Sequence, residues 1–171
     1  MGKLAVKDIA FAGIVGALYA LLTLILAPFS YGVYQVRVAE ALTVLPYLNP
    51  FAAVGLFAGC LVANIFGGNG IQDIVFGSLL TLIAGYFTYL TSKIKSRPLS
   101  LALAPLPPVI INAFGVSIYL AEIVGMNYLL VVQMIGVGQF VACYVLGLPL
   151  LIYLSRNRYS LLNQETKIRG V

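Results

Sequence analysis

Four charged residues of this chain stand at or inside apolar stretches: Arg37, Glu40, Asp73 and Glu122. Burying an ionisable side chain in an apolar setting is costly, so each of them is a hypothesis for a functional site. A carboxylate accepts strong hydrogen bonds, and Glu40 would match a ligand that presents two adjacent N–H donors. The chemistry that these residues predict is recognition of a small polar molecule.

Each of these residues also has a purely structural explanation. Asp73 opens a hydrophobic stretch, where a carboxylate caps the first amides of a helix and complements its dipole. Arg37 and Glu40 are three residues apart and would also form an ion pair on one helical face. Glu122 follows a hydrophobic stretch and would also be a solvated helix end. The sequence leaves both explanations open.

Uncharged polar residues lie deeper in the apolar stretches, and they comprise Asn64, Asn112, Gln133 and Gln139. In membrane spans, such side chains commonly join helices through hydrogen bonds. Together with Glu40 they would alternatively line a polar cavity, which suits a flat, hydrogen-bonding heterocycle. Such a site discriminates strongly, because a wrong ligand leaves buried groups without partners.

Two tyrosines, Tyr31 and Tyr34, lie in the first predicted loop, between Phe29 and Arg37. Their rings would stack on a planar ligand bound nearby. Tyrosine at this depth is also typical of the aromatic belt at a membrane interface. The sequence favours neither of these two explanations over the other.

The composition argues against catalysis and against a bound metal or cofactor. The chain has no His and no pair of carboxylates at the spacing of helical metal ligands. Cys60 and Cys143 both sit within apolar runs and are interpreted as small hydrophobic residues. We find no nucleophile with a matching base and no Gly-x-x-x-x-Gly-Lys phosphate loop. An ATP-driven process would therefore need a second chain.

The elements that carry these residues are hydrophobic enough to need a membrane. Of the 171 residues, 61% are hydrophobic and 9% are charged, and the mean hydropathy is +1.03. A soluble domain carries about a quarter charged residues. Because a span needs about 20 apolar residues, we expect a single-domain, all-α integral membrane protein with about six transmembrane helices. The predicted spans are roughly 9–29, 38–48, 51–66, 73–92, 99–121 and 128–155.

The Lys and Arg residues predict the orientation of the bundle. With the N-terminus inside, the cytoplasmic face holds the basic residues of both termini and of the linker 93–97, and the outer face holds only Arg37. This bias predicts a cell-membrane protein with both termini in the cytoplasm. The net charge of +5 then comes from Lys and Arg residues that set the orientation in the membrane and face anionic lipid. It requires no nucleic-acid partner.

The first predicted span carries small residues at helical spacing, namely Ala12, Gly13, Gly16 and Ala17, followed by Ala20. Small residues four apart allow a second helix to approach closely. That second helix would belong either to this bundle or to another membrane subunit.

Three segments of the chain form a recognisable pattern: Val36-Arg37-Val38-Ala39-Glu40-Ala41-Leu42-Thr43-Val44-Leu45-Pro46, Gly55-Leu56-Phe57-Ala58-Gly59-Cys60-Leu61-Val62-Ala63-Asn64 and Asp73-Ile74-Val75-Phe76-Gly77-Ser78-Leu79. They resemble the signature of the QueT family, whose members are substrate-binding S components of energy-coupling factor transporters. The resemblance extends over about residues 8–155. It implies a six-helix S component with its ligand site near the external face.

The resemblance also implies partners and a substrate. The partners are a transmembrane coupling subunit, which would dock on Ala12, Gly13, Gly16 and Ala17, and two cytoplasmic ATPases. The substrate is a queuosine precursor, a 7-deazaguanine such as 7-aminomethyl-7-deazaguanine or queuine. Another vitamin-type heterocycle on the same scaffold, and a standalone facilitator, channel or membrane-structural protein, remain as alternatives.

With that substrate in mind, Glu40 would accept hydrogen bonds from the amide and amino edge of the base. Asp73 or Glu122 would face a cationic substituent, while Asn112 and Gln139 would complete the polar contacts. The whole candidate site comprises Tyr31, Tyr34, Arg37, Glu40, Asn64, Asp73, Asn112, Glu122 and Gln139.

Overall fold

A computed structural model describes residues 6–31 and 36–157, and these residues form helices and connections without a strand. Among the described residues the α-helices are α1 Val6–Ile25, α2 Ala27–Ser30, α3 Phe51–Gly67, α4 Ser78–Thr91, α5 Arg97–Leu103, α6 Leu106–Val124 and α7 Tyr128–Phe140, and residues 148–157 are α-helical as well. A 3₁₀ helix covers Val38–Tyr47, and π-helical turns cover Asp73–Gly77 and Val141–Gly147. The all-helical prediction is confirmed.

Within residues 6–31 and 36–157, four helical segments are long and apolar enough to cross a membrane: Val6–Ile25, Asp73–Thr91, Arg97–Val124 and Tyr128–Asn157. Their outward faces carry large apolar side chains, among them Ile14, Ile118 and Val137. Backbone groups in hydrocarbon must be satisfied within the segment, which a helix achieves. In the part of the chain that the structure describes, the predicted spans are not six uniform helices, because 38–48 is mostly a 3₁₀ helix and 99–121 is broken at Pro105.

Helices α1 and α3 run parallel to each other and pack closely. A Cβ on Gly16 would lie 2.7 Å from the carbonyl oxygen of Gly55, and a Cβ on Gly59 would overlap the Gly16 backbone. Further along both helices, the Tyr31 hydroxyl donates to the Ala63 carbonyl at 2.6 Å. Only residues without a side chain permit backbones to approach this closely.

The parallel arrangement requires the chain to return between α1 and α3. The Asn49 amide donates to Asp8 at 3.4 Å, so the start of α3 lies beside the start of α1. The 3₁₀ helix Val38–Tyr47 therefore runs back along α1. We call this end of the bundle the Asn49 end and the opposite end, which holds the start of the Asp73–Thr91 helix, the Asp73 end.

The 3₁₀ geometry explains how the short predicted span 38–48 extends from the Asp73 end of the bundle to the Asn49 end. Ten residues rise about 20 Å as a 3₁₀ helix but only about 15 Å as an α-helix. The segment packs against α1, α3, α4 and the π-helical turn after α7. Residues on every side of it are buried, so it lies inside the bundle and not at its lipid-facing surface.

The predicted span 99–121 is interrupted. It is observed as Arg97–Val124 with a break between α5 and α6 at Ala104 and Pro105. Proline lacks an N–H group and disturbs the preceding turn, and the Thr88 hydroxyl donates to the Ala104 carbonyl at 3.1 Å. The predicted fifth span therefore lies within Arg97–Val124, and the break falls at Pro105, the first of the prolines that interrupt this apolar stretch of the sequence.

The small residues of α1 differ in their exposure. Gly16 is buried against α3, and Ala12 is half-buried there, which corresponds to packing within the bundle. Gly13 and Ala17 are exposed, and a Cβ on Gly13 would meet no atom within 4 Å. All four residues line one groove between α1 and α3, with Gly16 the most deeply buried of them.

Candidate functional site

Glu40 lies at the centre of the bundle, on the 3₁₀ helix, with 1% of its surface exposed. The Tyr19 hydroxyl of α1 donates to Glu40 Oε1 at 2.5 Å, and the Asn112 amide of α6 donates to Oε2 at 3.4 Å. Both donors are neutral. A carboxylate held in this way keeps its ability to accept further hydrogen bonds, and the long contact to Asn112 is easily exchanged.

Two amide side chains extend the polar cluster away from Glu40. The Asn112 amide donates to Gln139 Oε1 at 3.3 Å, which joins α6 to α7. The thiol of Cys143 contacts the same oxygen at 3.8 Å and the Glu40 carbonyl oxygen at 3.6 Å. Residues from α1, the 3₁₀ helix, α6 and α7 therefore meet around one carboxylate.

A second group of polar residues surrounds Asp73. Arg37 Nη2 forms an ion pair with Asp73 Oδ2 at 3.0 Å, and the Asn69 amide donates to the same oxygen at 3.1 Å. The Tyr119 hydroxyl donates to Asp73 Oδ1 at 2.7 Å. Both carboxylate oxygens thus have partners, and Asp73 links four separate segments of the chain.

The Arg37 guanidinium is also well satisfied. Its Nε donates to the Ser30 carbonyl at 3.2 Å, its Nη1 contacts Cys60 Sγ at 3.8 Å, and its Cζ lies 5.4 Å from the centre of the Tyr31 ring. Because Arg37 pairs with Asp73, the alternative of an Arg37–Glu40 pair within one helix is wrong. The sequence prediction missed this pair because the partners are 36 residues apart.

Two buried amide oxygens, Asn64 Oδ1 and Asn112 Oδ1, have no hydrogen-bond partner among the described residues. An unsatisfied buried acceptor costs about 1–3 kcal/mol, so each of these atoms needs a donor from a ligand or from water. Asn112 lies beside Glu40, whereas the Asn64 amide donates to the Asp73 carbonyl at 2.8 Å. The cluster therefore offers acceptors near both carboxylates.

Both π-helical turns lie beside this cluster. The turn Asp73–Gly77 carries Asp73, and a Cβ on Gly77 would lie 2.6 Å from Asp73 Oδ1 and 3.0 Å from the Tyr119 hydroxyl. The turn Val141–Gly147 carries Cys143 next to Glu40. Single π-turns inside α-helices are frequent at functional sites, because the extra residue redirects neighbouring side chains.

Several residues that the sequence analysis singled out differ from expectation in their position or contacts. Asp73 does not cap its helix, because Gln72 precedes it in helical conformation and the Asp73 carboxylate points to Arg37 and Tyr119. Glu122 is exposed near the end of α6, outside the buried cluster, and Gln133 is also exposed. Tyr34 lies outside the described residues.

A comparison with known families decides the identity of the chain. The family model described as QueT transporter matches residues 9–156. The chain belongs to the QueT transporter family. Membership of the QueT family makes it a membrane transport protein for a small-molecule substrate, which agrees with its four long apolar helices. No curated protein and no solved structure matches the chain.

The structure adds residues to the site of this QueT family member that the sequence did not reveal. They are Tyr19, Asn69 and Tyr119, together with the buried thiol of Cys60, which accepts from Thr81 at 3.5 Å. Tyrosines in an apolar helix give no signal by themselves, because most of them lie in belts or cores. Only the distance to a carboxylate on another helix identifies them.

Proposed function

We propose that this chain is the substrate-binding S component of an energy-coupling factor importer, and that it binds a queuosine precursor. The ligand would be a 7-deazaguanine such as 7-aminomethyl-7-deazaguanine or queuine. The observation that supports this proposal is the buried Glu40 carboxylate, whose donors are neutral and which lies beside the unpaired oxygen of Asn112. The substrate class itself rests on the resemblance of the sequence to the QueT family.

The chemistry of a guanine-type base fits these acceptors. Its ring N–H and exocyclic amino group are adjacent donors, and Glu40 accepts both of them in the proposed complex. The Asn112 and Gln139 side chains offer amide groups to the remaining edge of the base, and the free Asn112 oxygen accepts another N–H. A ligand without these donors leaves buried acceptors unpaired, which is the strongest source of discrimination in such a site.

The charges of the cluster favour a cationic substituent on the ligand. Arg37 contributes one positive charge, while Glu40 and Asp73 together contribute two negative charges when both are ionised. Asp73 is already paired with Arg37, so the excess negative charge belongs to Glu40. This charge attracts the substituent from across the base, because Glu40 itself binds the ring N–H and amino edge, and Glu122, which is exposed, is left out of the proposed site.

Tyr19 is a positioning residue in this proposal, because its hydroxyl donates to one oxygen of Glu40 and fixes the orientation of the carboxylate toward the ligand. Replacing Tyr19 by Phe removes one hydrogen bond to a charged group, which is worth about 1.5–3 kcal/mol. We expect roughly tenfold weaker ligand binding in isothermal titration calorimetry. Tyr153→Phe, which alters an exposed tyrosine, is the matched control. Equal affinities of Tyr19→Phe and wild type would contradict this role.

The proposed topology has six membrane crossings, with the 3₁₀ helix as the second and α5 with α6 as the fifth. The reversals at the Asn49 end and the Asp73 end support it. The described basic residues at the Asn49 end are Lys7, Lys93, Lys95, Arg97 and Arg156. Positively charged loops favour the cytoplasm, so both termini are assigned to that side and the Asp73 end faces outward.

The energising partners in this proposal are a coupling subunit and two cytoplasmic ATPases. The coupling subunit docks on the exposed small residues of α1, which form a groove with α3 between Gly13, Ala17 and Ala58. Gly16 also lines this groove, where it packs against Gly55 and Gly59 of α3. Transport then follows from reorientation of the loaded bundle.

Replacing Ala17 by Leu tests the docking surface without touching the ligand site. We expect ligand affinity to stay unchanged, whereas ATP-dependent uptake falls at least about tenfold because the larger side chain fills the groove. Ala102→Leu, at an exposed position of α5, is the matched control and should transport normally. If the Ala17→Leu variant transports normally, the docking surface lies elsewhere.

The proposed function is tested by identifying the ligand. Native mass spectrometry of the purified chain should show a co-purified 7-deazaguanine, and 7-aminomethyl-7-deazaguanine should bind far more tightly than guanine, thymine or riboflavin. Tight binding of another heterocycle in its place would reassign the substrate. Uptake by the purified chain alone in liposomes, without any ATPase, would identify a standalone facilitator and overturn the subunit assignment.

A further inference from the structure

A second feature of the bundle is a groove between α4 and α6 on the outer surface, separate from the buried cluster. Its volume is about 480 Å³, and its lining is apolar except near one end. Phe76, Leu79, Ile83 and Ile118 line the apolar part, all of them with exposed side chains. Gln72 and Glu122 stand at the mouth, at the Asp73 end of the bundle.

The mouth of the groove is suited to a cation. The Glu122 carboxylate is exposed and has no hydrogen-bond or ion-pair partner within residues 6–31 and 36–157. Glu122 also lies in the last turn of α6, two residues before the final residue Val124. The C-terminal end of an α-helix carries partial negative charge, which adds to that of the carboxylate.

The apolar length of the groove offers more contact to an amphiphilic molecule than to a simple ion. An apolar channel that starts at a carboxylate and an amide matches a molecule with a charged head and a hydrocarbon tail. By contrast, the groove between α1 and α3 is lined by residues such as Ile9, Ala20 and Val62 and carries no charged side chain in its lining. Charge complementarity therefore distinguishes the α4–α6 groove from ordinary lipid-facing surface.

We infer that the α4–α6 groove binds a phospholipid with a primary ammonium head group, whose nitrogen pairs with Glu122 and whose acyl chain lies along Phe76 and Ile83. Tyr119 forms part of the wall of this groove and donates to Asp73 on its inner side. The bound lipid therefore packs against a residue that holds the buried Arg37–Asp73 pair. This inference does not depend on the identity of the transported substrate.

The test compares phosphatidylethanolamine with phosphatidylglycerol of identical acyl chains, added to the purified full-length chain and counted by native mass spectrometry. We expect about fivefold greater retention of phosphatidylethanolamine, since a single exposed ion pair near a helix end contributes about 1 kcal/mol. Glu122→Gln should abolish the preference, whereas Asp8→Asn, at the Asn49 end, should keep it.

Three outcomes would overturn the inference. One is equal retention of both lipids by the wild-type chain, and another is an unchanged preference in Glu122→Gln. The third is equal retention of N-methylated and unmethylated head groups, because methylation removes the N–H donors but keeps the charge. Gly115→Leu, which pushes Leu80 into the groove, should lower retention of both lipids. If Glu122→Gln instead releases a co-purified coupling subunit, the groove is a protein interface.

Discussion

Glu40→Gln is expected to weaken binding of 7-aminomethyl-7-deazaguanine by at least about 100-fold, because hydrogen bonds to a charged acceptor contribute roughly 1.5–3 kcal/mol each. The substitution keeps the shape of the side chain and its place beside Tyr19 and Asn112. It replaces one accepting oxygen by an NH₂ group, which faces the donors of the ligand. The measurement is the Kd of the purified protein in isothermal titration calorimetry.

Glu122→Gln is the matched control for this experiment, because it makes the same chemical change at an exposed position outside the buried cluster. We expect its Kd to equal that of wild type in lipid-free detergent. A thermal unfolding midpoint close to that of wild type establishes that Glu40→Gln is folded. Wild-type affinity of Glu40→Gln would remove Glu40 from the site, and weakened binding by Glu122→Gln would restore the original prediction for that residue.

The second large effect concerns stability. Arg37 has only 4% of its surface exposed, and Asp73→Asn removes the negative charge that pairs with its buried guanidinium. Removing one partner of a buried ion pair destabilises a fold by about 3–5 kcal/mol. We expect a loss of this size in the free energy of unfolding, measured by denaturant titration in detergent. The exposed cation Arg156, replaced by Met, is the control and should change stability by less than about 0.5 kcal/mol.

A double variant separates the ion pair from the neighbouring hydrogen bonds. Arg37→Met combined with Asp73→Asn removes both charges, so its loss of stability should be smaller than the sum of the two single losses. Additive losses would show that the two charges act independently. If Asp73→Asn is as stable as wild type but loses ligand affinity, Asp73 contacts the ligand and does not lock the Arg37 segment to the bundle.

The role proposed for Asp73 follows from the number of segments that it joins. It holds Arg37, Asn69 and Tyr119, which lie before the 3₁₀ helix, after α3 and on α6. Among the described residues, by contrast, the side chains that donate to the Glu40 carboxylate, Tyr19 and Asn112, are neutral. The two buried carboxylates thus have different environments. We propose that Asp73 holds segments of the bundle together and that Glu40 binds the ligand.

Much of the architecture was determined by the sequence alone. The length and apolarity of the segments near residues 73–92 and 128–155 determine that they are helices, because only a helix satisfies its backbone without water. Pro105 marks the break in the Arg97–Val124 helix, since proline cannot donate the hydrogen bond that the helix needs. The sequence also identifies Glu40, Asn64 and Asn112 as candidate site residues, because a buried polar side chain needs a hydrogen-bond partner.

The identity of those partners was decided only by the tertiary structure. Helical spacing suggested that Arg37 pairs with Glu40, but the 3₁₀ helix and the packing of α3 and α4 place Asp73 beside Arg37. The same packing brings Tyr19 to Glu40 and leaves Glu122 at the surface. Spacing along a chain specifies which residues share a face of one helix, whereas hydrogen bonds between helices depend on their rotation and depth. Those two quantities arise from close contacts such as Gly16 against Gly55 and Gly59, which form only when the whole bundle is assembled.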